Sequence, residues 1–361
     1  MRILVVSTLK RRIGPDIFAS RSRIIYQLAE GLVKRGHSVS LIGTGDSQIP
    51  GVKIIPVLEK GWMDLPPAEN SFLRDISSLI KLNNNILEVA HEFDVVHNHT
   101  YPDYFPSIVE KDLKVPLITT LHALYDDYMD DLLSSFSKTT FVALSNAYKN
   151  LYKKAKIENV IYNGVDTNLY SYNEKSEDYL LWVGRLPKGR REDGIFIDPK
   201  GVKSAIKLAR ETGQRLFLLG PCEDKEFFDR DVKPYLNEKI QWVGEVSPEQ
   251  SVPIEKVVSL MQNAKCFLMT INQDEPFGLV MAEAMACGTP VIAYNHGSVS
   301  EIVRDGLTGF VVDPSEGTEG LGEALDKIDT LKRDDCRNHV EENFTIEKMV
   351  KNYEELYKQL L

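Results

Sequence analysis

Short apolar runs alternate with amphipathic segments along the whole chain. "RILVVS" at the start reads as a strand. "RIIYQLAEGLVKRG" reads as a helix, with Ile25, Leu28, Leu32 and Val33 roughly on one face and Gly36 as its stop. "SVSLIG", "VKIIPV", "DVVHNH", "PLITTLH", "FVALS" and "NVIYNGV" follow as strands, most with a helical pattern between them. This βαβ rhythm predicts parallel sheets with helices on both faces. It breaks at 166–179, "DTNLYSYNEKSEDY", which is polar, lacks apolar periodicity and reads as a linker. It restarts with "YLLWVG", "RLFLLG", "KIQWVGE", "KCFLMTI", "PVIAY" and "GFVVD", each short and apolar as buried parallel strands are. Two doubly wound α/β domains are expected, over 1–172 and 173–344. A terminal helix over 345–361 is free to pack back on the first. Two such sheets facing each other would make a cleft edged by strand carboxyl ends, where open α/β sheets bind ligands.

Composition narrows the class. Of 361 residues, 43% are apolar and 27% charged, an ordinary globular balance. No run of apolar residues is long enough to span a membrane. The apolar start is too short for a signal peptide, and Cys222, Cys266, Cys287 and Cys336 form neither a metal-type pair nor a disulfide framework. The expected location is therefore the cytoplasm. A net charge of −10 argues against general nucleic-acid binding. The acidic excess lies downstream of the break, whereas the upstream half holds Lys10, Arg11, Arg12, Arg21 and Arg23. That basic set suits a solvated loop and helix face. It equally suits a site for an anionic group of a substrate, or peripheral contact with a membrane surface.

The stretch "NQDEPFGLVMAEAMACG" follows the strand "KCFLMTI". Pro276 suits a first helical turn, and a helix is expected from Phe277 until Gly288 stops it. Its first turn would offer the N–H groups of about Phe277 to Val280 at the positive end of the helix dipole, an anion site suited to phosphate. Gly278 would let a ligand approach the backbone closely. Glu275 precedes the helix and Glu283 lies about 8 Å along its axis at about 1.5 Å per residue. One carboxylate thus falls on each side of a phosphate site, and carboxylates accept hydrogen bonds from hydroxyls. A hexose, a diphosphate and a ribose have that layout. A helix with one acidic residue before it and one solvated Glu is the plain alternative.

"EPFGLVMAEAMACGTPVIA" resembles the E-x7-E signature of retaining GT-B glycosyltransferases, specifically glycosyltransferase family 4. "GSVSEIVRDGLTGFVVD", "VIYNGVD", "LLWVGRL", "DVVHNH" and "RGHSVSLI" are also similar to that family, in the expected order, so the resemblance covers nearly the whole chain. It implies a GT-B fold of two Rossmann-like domains around a central cleft, acceptor side first and donor side second. It implies transfer of a sugar from a nucleoside-diphosphate sugar, with UDP or GDP as carrier, to a hydroxyl acceptor with retention of configuration. Glycan, glycolipid or cell-surface polysaccharide synthesis is the implied setting, with an anionic or lipid-linked acceptor and no cofactor or essential metal. Glu275 would contact the donor sugar's hydroxyls. Phe277, Gly278 and Leu279 would present N–H groups to the sugar and diphosphate, and Glu283 would hold the ribose. Arg185 and Lys200 look like the family's basic pair on the diphosphate, where negative charge grows as the leaving group departs. His122, at the end of "PLITTLH", matches a histidine that contacts the donor sugar. His97 and His99 would line the cleft, and Gly244–Glu245 would border the base.

Two departures stand out. Ala19 and Ser20 occupy positions where the family often has a Gly-Gly turn, leaving Gly14 for close approach in that loop. A longer segment than usual, 187–199, separates Arg185 from Lys200, and Lys188 competes with Lys200 for the diphosphate. "GTGDSQ" lacks the third glycine of a dinucleotide fingerprint and no helix clearly follows. "DRD" at 229–231 is expected on a helix, where residues two apart do not share a face. "DDYMDD" at 126–131 reads as a solvated helix start rather than a metal site. The rival readings are a GT-B-like epimerase or phosphorylase, and a non-catalytic nucleotide-sugar-binding protein.

Overall fold

The structure is a computed structural model that describes all residues except Phe18, Pro187, Lys188, Glu192, Asp193 and 248–251. It divides into two compact units, Met1–Gly164 with Ile346–Leu361, and Val165–Thr345.

The first unit is built on a seven-stranded sheet of order β3-β2-β1-β4-β5-β6-β7. Its strands are β1 (Arg2–Val6), β2 (Ser38–Thr44), β3 (Lys53–Leu58), β4 (Val95–Asn98), β5 (Leu117–Thr120), β6 (Thr139–Ala143) and β7 (Asn159–Val160). All pair in parallel. Ile3 to Val6 are fully buried, as a central strand covered on both faces requires. Strand order reverses between β1 and β4, so the loops after β1, β4 and β5 are the ones placed to hold a ligand.

The helix Ser20–Lys34 buries Ile24, Ile25, Leu28 and Leu32 and ends ahead of Gly36, whose φ of 85° only glycine adopts readily. The helix Ile346–Leu360 buries Met349, Val350, Tyr353, Leu356 and Tyr357, a stripe at helical spacing. The two helices touch where Val350 covers Gly31, leaving no room for a Cβ there (2.5 Å to Cγ2). Glu354 fixes the contact. It accepts from Arg35 Nε at 2.7 Å and from Lys358 Nζ at 2.8 Å, and His37 Nε2 lies 3.2 Å away.

These bonds, with Lys358 and Arg35 first, hold the Glu354 carboxyl at about 2, below its ordinary 4.5. A carboxyl depressed in the folded state stabilises it above the ordinary value, and that contribution is lost as pH falls toward the folded value. Arg35 and Lys358 are substantially exposed, which screens the interaction. Glu354→Gln should therefore cost about 1–2 kcal/mol at neutral pH. Thermal melts between pH 6 and 3 check this: the two proteins should converge as the medium is acidified. A constant gap would show that the charge is not the cause.

The second unit carries a six-stranded parallel sheet of order β10-β9-β8-β11-β12-β13. Its strands are β8 (Leu180–Val183), β9 (Leu216–Leu219), β10 (Ile240–Trp242), β11 (Cys266–Met269), β12 (Val291–Tyr294) and β13 (Gly309–Val312). Here the order reverses between β8 and β11. The polar stretch 166–179 differs from the expected linker, because it is strapped onto this unit. Tyr170 is buried, and two arginines of the helix Arg333–Asn343 take up the strap's carbonyls. Arg333 donates to Asn173 O (2.8 Å), and Arg337 donates to Tyr170 O (2.9 Å) and Thr167 O (3.1 Å). A strap held by its backbone needs no apolar periodicity, so its order leaves no pattern in its own residues.

Candidate active site

In the second unit, the residues after β8 and β11 are locked together through the segment Asp198–Gly201. Gly201 adopts φ 70° and presses on the end of β11 so closely that a Cβ would stand 1.5 Å from Thr270 O. Thr270 Oγ1 donates to Gly201 O at 2.7 Å. The Trp182 indole, on β8, donates to Lys200 O at 3.0 Å. Asn272 adds two bonds, to Pro199 O (2.9 Å) and Asp198 O (2.7 Å). The Asp198 carboxylate receives Val202 N and Lys203 N at 3.1 and 3.0 Å, capping the helix Val202–Thr212. Lys200 is thereby fixed at the carboxyl edge of the sheet, and its Nζ lies 2.6 Å from Glu275 Oε2.

The loop carrying Glu275 is clamped from the other side by the segment after β12. Ser298 N donates to Glu275 O (3.0 Å), Ser298 Oγ to Phe277 O (2.9 Å) and Gly297 N to Asp274 Oδ1 (2.9 Å). The helix that follows runs Leu279–Ala286, starting two residues later than the Pro276 signal suggests. Gly278, with φ 76° and ψ 58°, is its N-cap, and this left-handed residue forces the chain to turn before it can become helical. The positive end of the helix thus sits at Gly278–Val280, with Phe277 buried outside it. Glu283 is four residues into this helix, about 6 Å along its axis. It is 4% exposed, which removes the solvated-Glu alternative: a carboxylate this deep needs hydrogen-bonding partners.

Arg185 follows β8 after Gly184, but its guanidinium turns to Glu223, with which it forms an ion pair, and remains 62% exposed. The structure therefore brings Lys200 to Glu275 and keeps Arg185 on a separate carboxylate. Gly244, with φ 98°, and the exposed Glu245 follow β10. Lys188 lies outside the described residues.

In the first unit, Gly14 lies buried in the loop after β1, where its carbonyl accepts from Ile17 N at 3.2 Å. Ala19 is the N-cap of the helix Ser20–Lys34 at φ −61°, and no described non-glycine residue has positive φ, so this loop does not need glycine at 19 or 20. His122, half-buried, sits just past β5. Its backbone N–H and that of Ala123 both donate to Asp103 Oδ2 at 2.7 Å. Asp103 is 1% exposed and is paired with Arg21 at 2.8 Å. Arg21 also donates to Thr100 O. It is therefore a structural partner of Asp103 and not part of a solvated basic face. His97 and His99 do not line a surface: both are fully buried behind His122, because β4 is covered on both faces. Asp103 was invisible to motif reading, since a lone Asp in "YPDYF" has no distinguishing pattern.

The acidic run 126–131 resolves into structural roles. Asp126 caps the helix Asp127–Ser134, and the buried Asp130 receives the backbone N–H groups of Lys153, Lys154 and Ala155. Asp229 to Asp231 lie in a short π-helical turn, Phe228–Val232. The "GTGDSQ" segment leads into β3, not into a helix. Among the described residues no group of three His, Cys, Asp or Glu could hold a metal ion, and no helix is long and apolar enough to cross a membrane.

Two family models match in tandem. "Glycosyltransferase Family 4" covers 22–169 and "Glycosyl transferases group 1" covers 194–344. The chain is 23% identical over 377 residues to N-acetyl-alpha-D-glucosaminyl L-malate synthase of Bacillus anthracis, a match that covers 93% of this chain and 92% of that one. In structure it is similar to a sucrose-phosphate synthase from Thermosynechococcus elongatus (TM-score 0.77, 19% identity, 99% and 98% of the two chains). It is also similar to Anabaena HepE in complex with UDP and glucose (TM-score 0.70, 18% identity, 100% of both chains). The fold is GT-B, and the chain is a glycosyltransferase of the family 4 type.

Proposed function

We propose that this chain transfers a hexose from a nucleoside-diphosphate sugar to a hydroxyl acceptor with retention of anomeric configuration. The observation that carries the reading is the Lys200–Glu275 pair, fixed by the Gly201–Thr270 clamp at the carboxyl edge of the sheet, beside the helix that carries the buried Glu283. A diphosphate at Gly278–Val280 would meet the helix dipole and the Lys200 ammonium. Glu275 would then accept from hexose hydroxyls and Glu283 from the ribose, with the base near Gly244–Glu245. Arg185 would exchange Glu223 for the diphosphate, which an exposed ion pair permits at little cost.

In the chemical step the acceptor oxygen bonds to the anomeric carbon on the face from which the phosphate oxygen leaves. The acceptor's proton passes to that departing oxygen. Arg185 and Lys200 stabilise the growing charge, a role a metal ion plays elsewhere. UDP as carrier agrees with the ligand of HepE. An anionic acceptor agrees with the malate of the Bacillus relative and with Lys10 and Arg11 in the first unit. The alternatives of epimerase, phosphorylase or plain binding protein predict different products.

A panel of UDP- and GDP-sugars, read as nucleoside diphosphate release with and without acceptors such as malate and sugar phosphates, tests the proposal. Acceptor-dependent release that persists in excess EDTA is expected, with the product's anomeric configuration matching the donor's by NMR. Release without any acceptor would favour the epimerase reading. Loss in EDTA with recovery in magnesium or manganese would reassign the charge role of Arg185 and Lys200.

A further inference from the structure

Behind His122 the first unit contains a file of polar groups to which the proposed transfer gives no task. His122 Nε2 lies 2.9 Å from His99 Nδ1, and His99 Nε2 lies 3.3 Å from His97 Nδ1. His97 Nδ1 is also 2.6 Å from the Tyr357 hydroxyl, while its Nε2 is 2.8 Å from Thr120 Oγ1. Thr120 Oγ1 in turn lies 2.8 Å from the Tyr353 hydroxyl. The file thus runs from a half-buried ring at the sheet edge to two tyrosines of the C-terminal helix.

Burial keeps all three imidazoles neutral. The pKa of His99 is pushed down to about 3, by burial first and then by Arg21, and those of His97 and His122 fall well below the ordinary value for the same first reason. A neutral imidazole has one N–H and one lone pair. At each contact in the file an N–H must face a lone pair, so the three tautomers are coupled.

His97 Nδ1 sets the direction. It faces two partners at once, and one N–H can be shared between two acceptors, whereas two protons crowd a single lone pair. His97 therefore carries its proton on Nδ1 and accepts at Nε2 from Thr120, which accepts from Tyr353. His99 then accepts at Nε2 and donates from Nδ1. His122 accepts at Nε2 and keeps its proton on Nδ1, which has no hydrogen-bond partner among the described residues.

We propose that His99 is a positioning residue: it locks His122 in the Nδ1–H form, so that His122 donates a hydrogen bond to bound ligand through a file anchored on the C-terminal helix. That the ligand atom is a hydroxyl oxygen of the donor hexose rests on the transfer reaction proposed above.

The test is nitrogen–proton correlation NMR on full-length protein labelled with 15N-histidine, near neutral pH. His122 is expected to show a protonated Nδ1 and a pyridine-type Nε2. His99→Leu should release His122 to the Nε2–H form and lower kcat about tenfold to a hundredfold, with nucleoside diphosphate affinity little changed. His99→Asn, whose amide N–H can donate in the same direction, should recover the tautomer and part of the rate. An Nε2–H form of His122 in the unmutated protein overturns the proposal, and that result needs no variant to fold. An unchanged His122 tautomer in folded His99→Leu overturns it too. The predicted tautomer in a protein that turns over no nucleotide sugar would count against the transfer reaction and not against the hold of His99 on His122.

Discussion

Arg185→Ala should lower turnover at least about a hundredfold while leaving the fold intact. Removing one fixed donor from a site of developing negative charge costs about 2.7–4 kcal/mol in comparable enzymes, and here the lost group carries a full charge. The fold should tolerate the change because the side chain is 62% exposed. An exposed ion pair contributes about 0–1 kcal/mol. The melting temperature should therefore stay within a few degrees of the parent while kcat falls. Arg185→Lys should recover little, since an ammonium cannot offer the planar pair of donors that matches a phosphate. Steady-state kinetics beside a thermal melt decide the matter. Near-normal turnover in Arg185→Ala would leave the Glu223 ion pair as that residue's whole role.

The strands, and the placement of Glu275 before a helix and Glu283 within it, are plain in the sequence because both signals are local. Runs such as Leu180–Val183 and Cys266–Met269 are continuous apolar stretches that only a covered parallel strand explains. What remained hidden depends on partners far away in the chain. Gly201 looks like an ordinary helix-initiating glycine until Thr270 O is placed where its side chain would be. Arg21 reads as one member of a basic cluster, yet it is spent on Asp103, and Asp103 in turn holds the backbone of His122. His97 in β4 and His99 just past it alternate as though one face were open, but tyrosines of the C-terminal helix close over them. The helix starts two residues later than Pro276 signals because left-handed Gly278 imposes a turn before it. The strap at 166–179 looked unstructured because arginines from elsewhere satisfy its carbonyls.

A loss of similar size is expected at Glu275, and it separates the two glutamates. In the proposed donor pose Glu275, in the loop beside Lys200, holds the sugar that reacts. In the same proposed pose Glu283, buried four residues into the helix, holds the ribose, which does not react. An interaction with the unreacting ribose is the same in the ground and transition states, so Glu283→Gln should raise KM and weaken the bare nucleoside diphosphate and the whole donor by similar factors. Hydroxyls of the reacting hexose must be held while charge builds at the anomeric carbon, so Glu275→Gln should cut kcat, by about a hundredfold on the scale of a single oriented charged contact. It should leave nucleoside diphosphate affinity nearly unchanged. Titration calorimetry of the bare nucleoside diphosphate into the two variants is the most direct measurement of this account. Weakened binding by Glu283→Gln and parental binding by Glu275→Gln is the predicted result. Equal weakening in both variants would mean that the donor does not lie along this helix with its ribose at Glu283 and its hexose at Glu275.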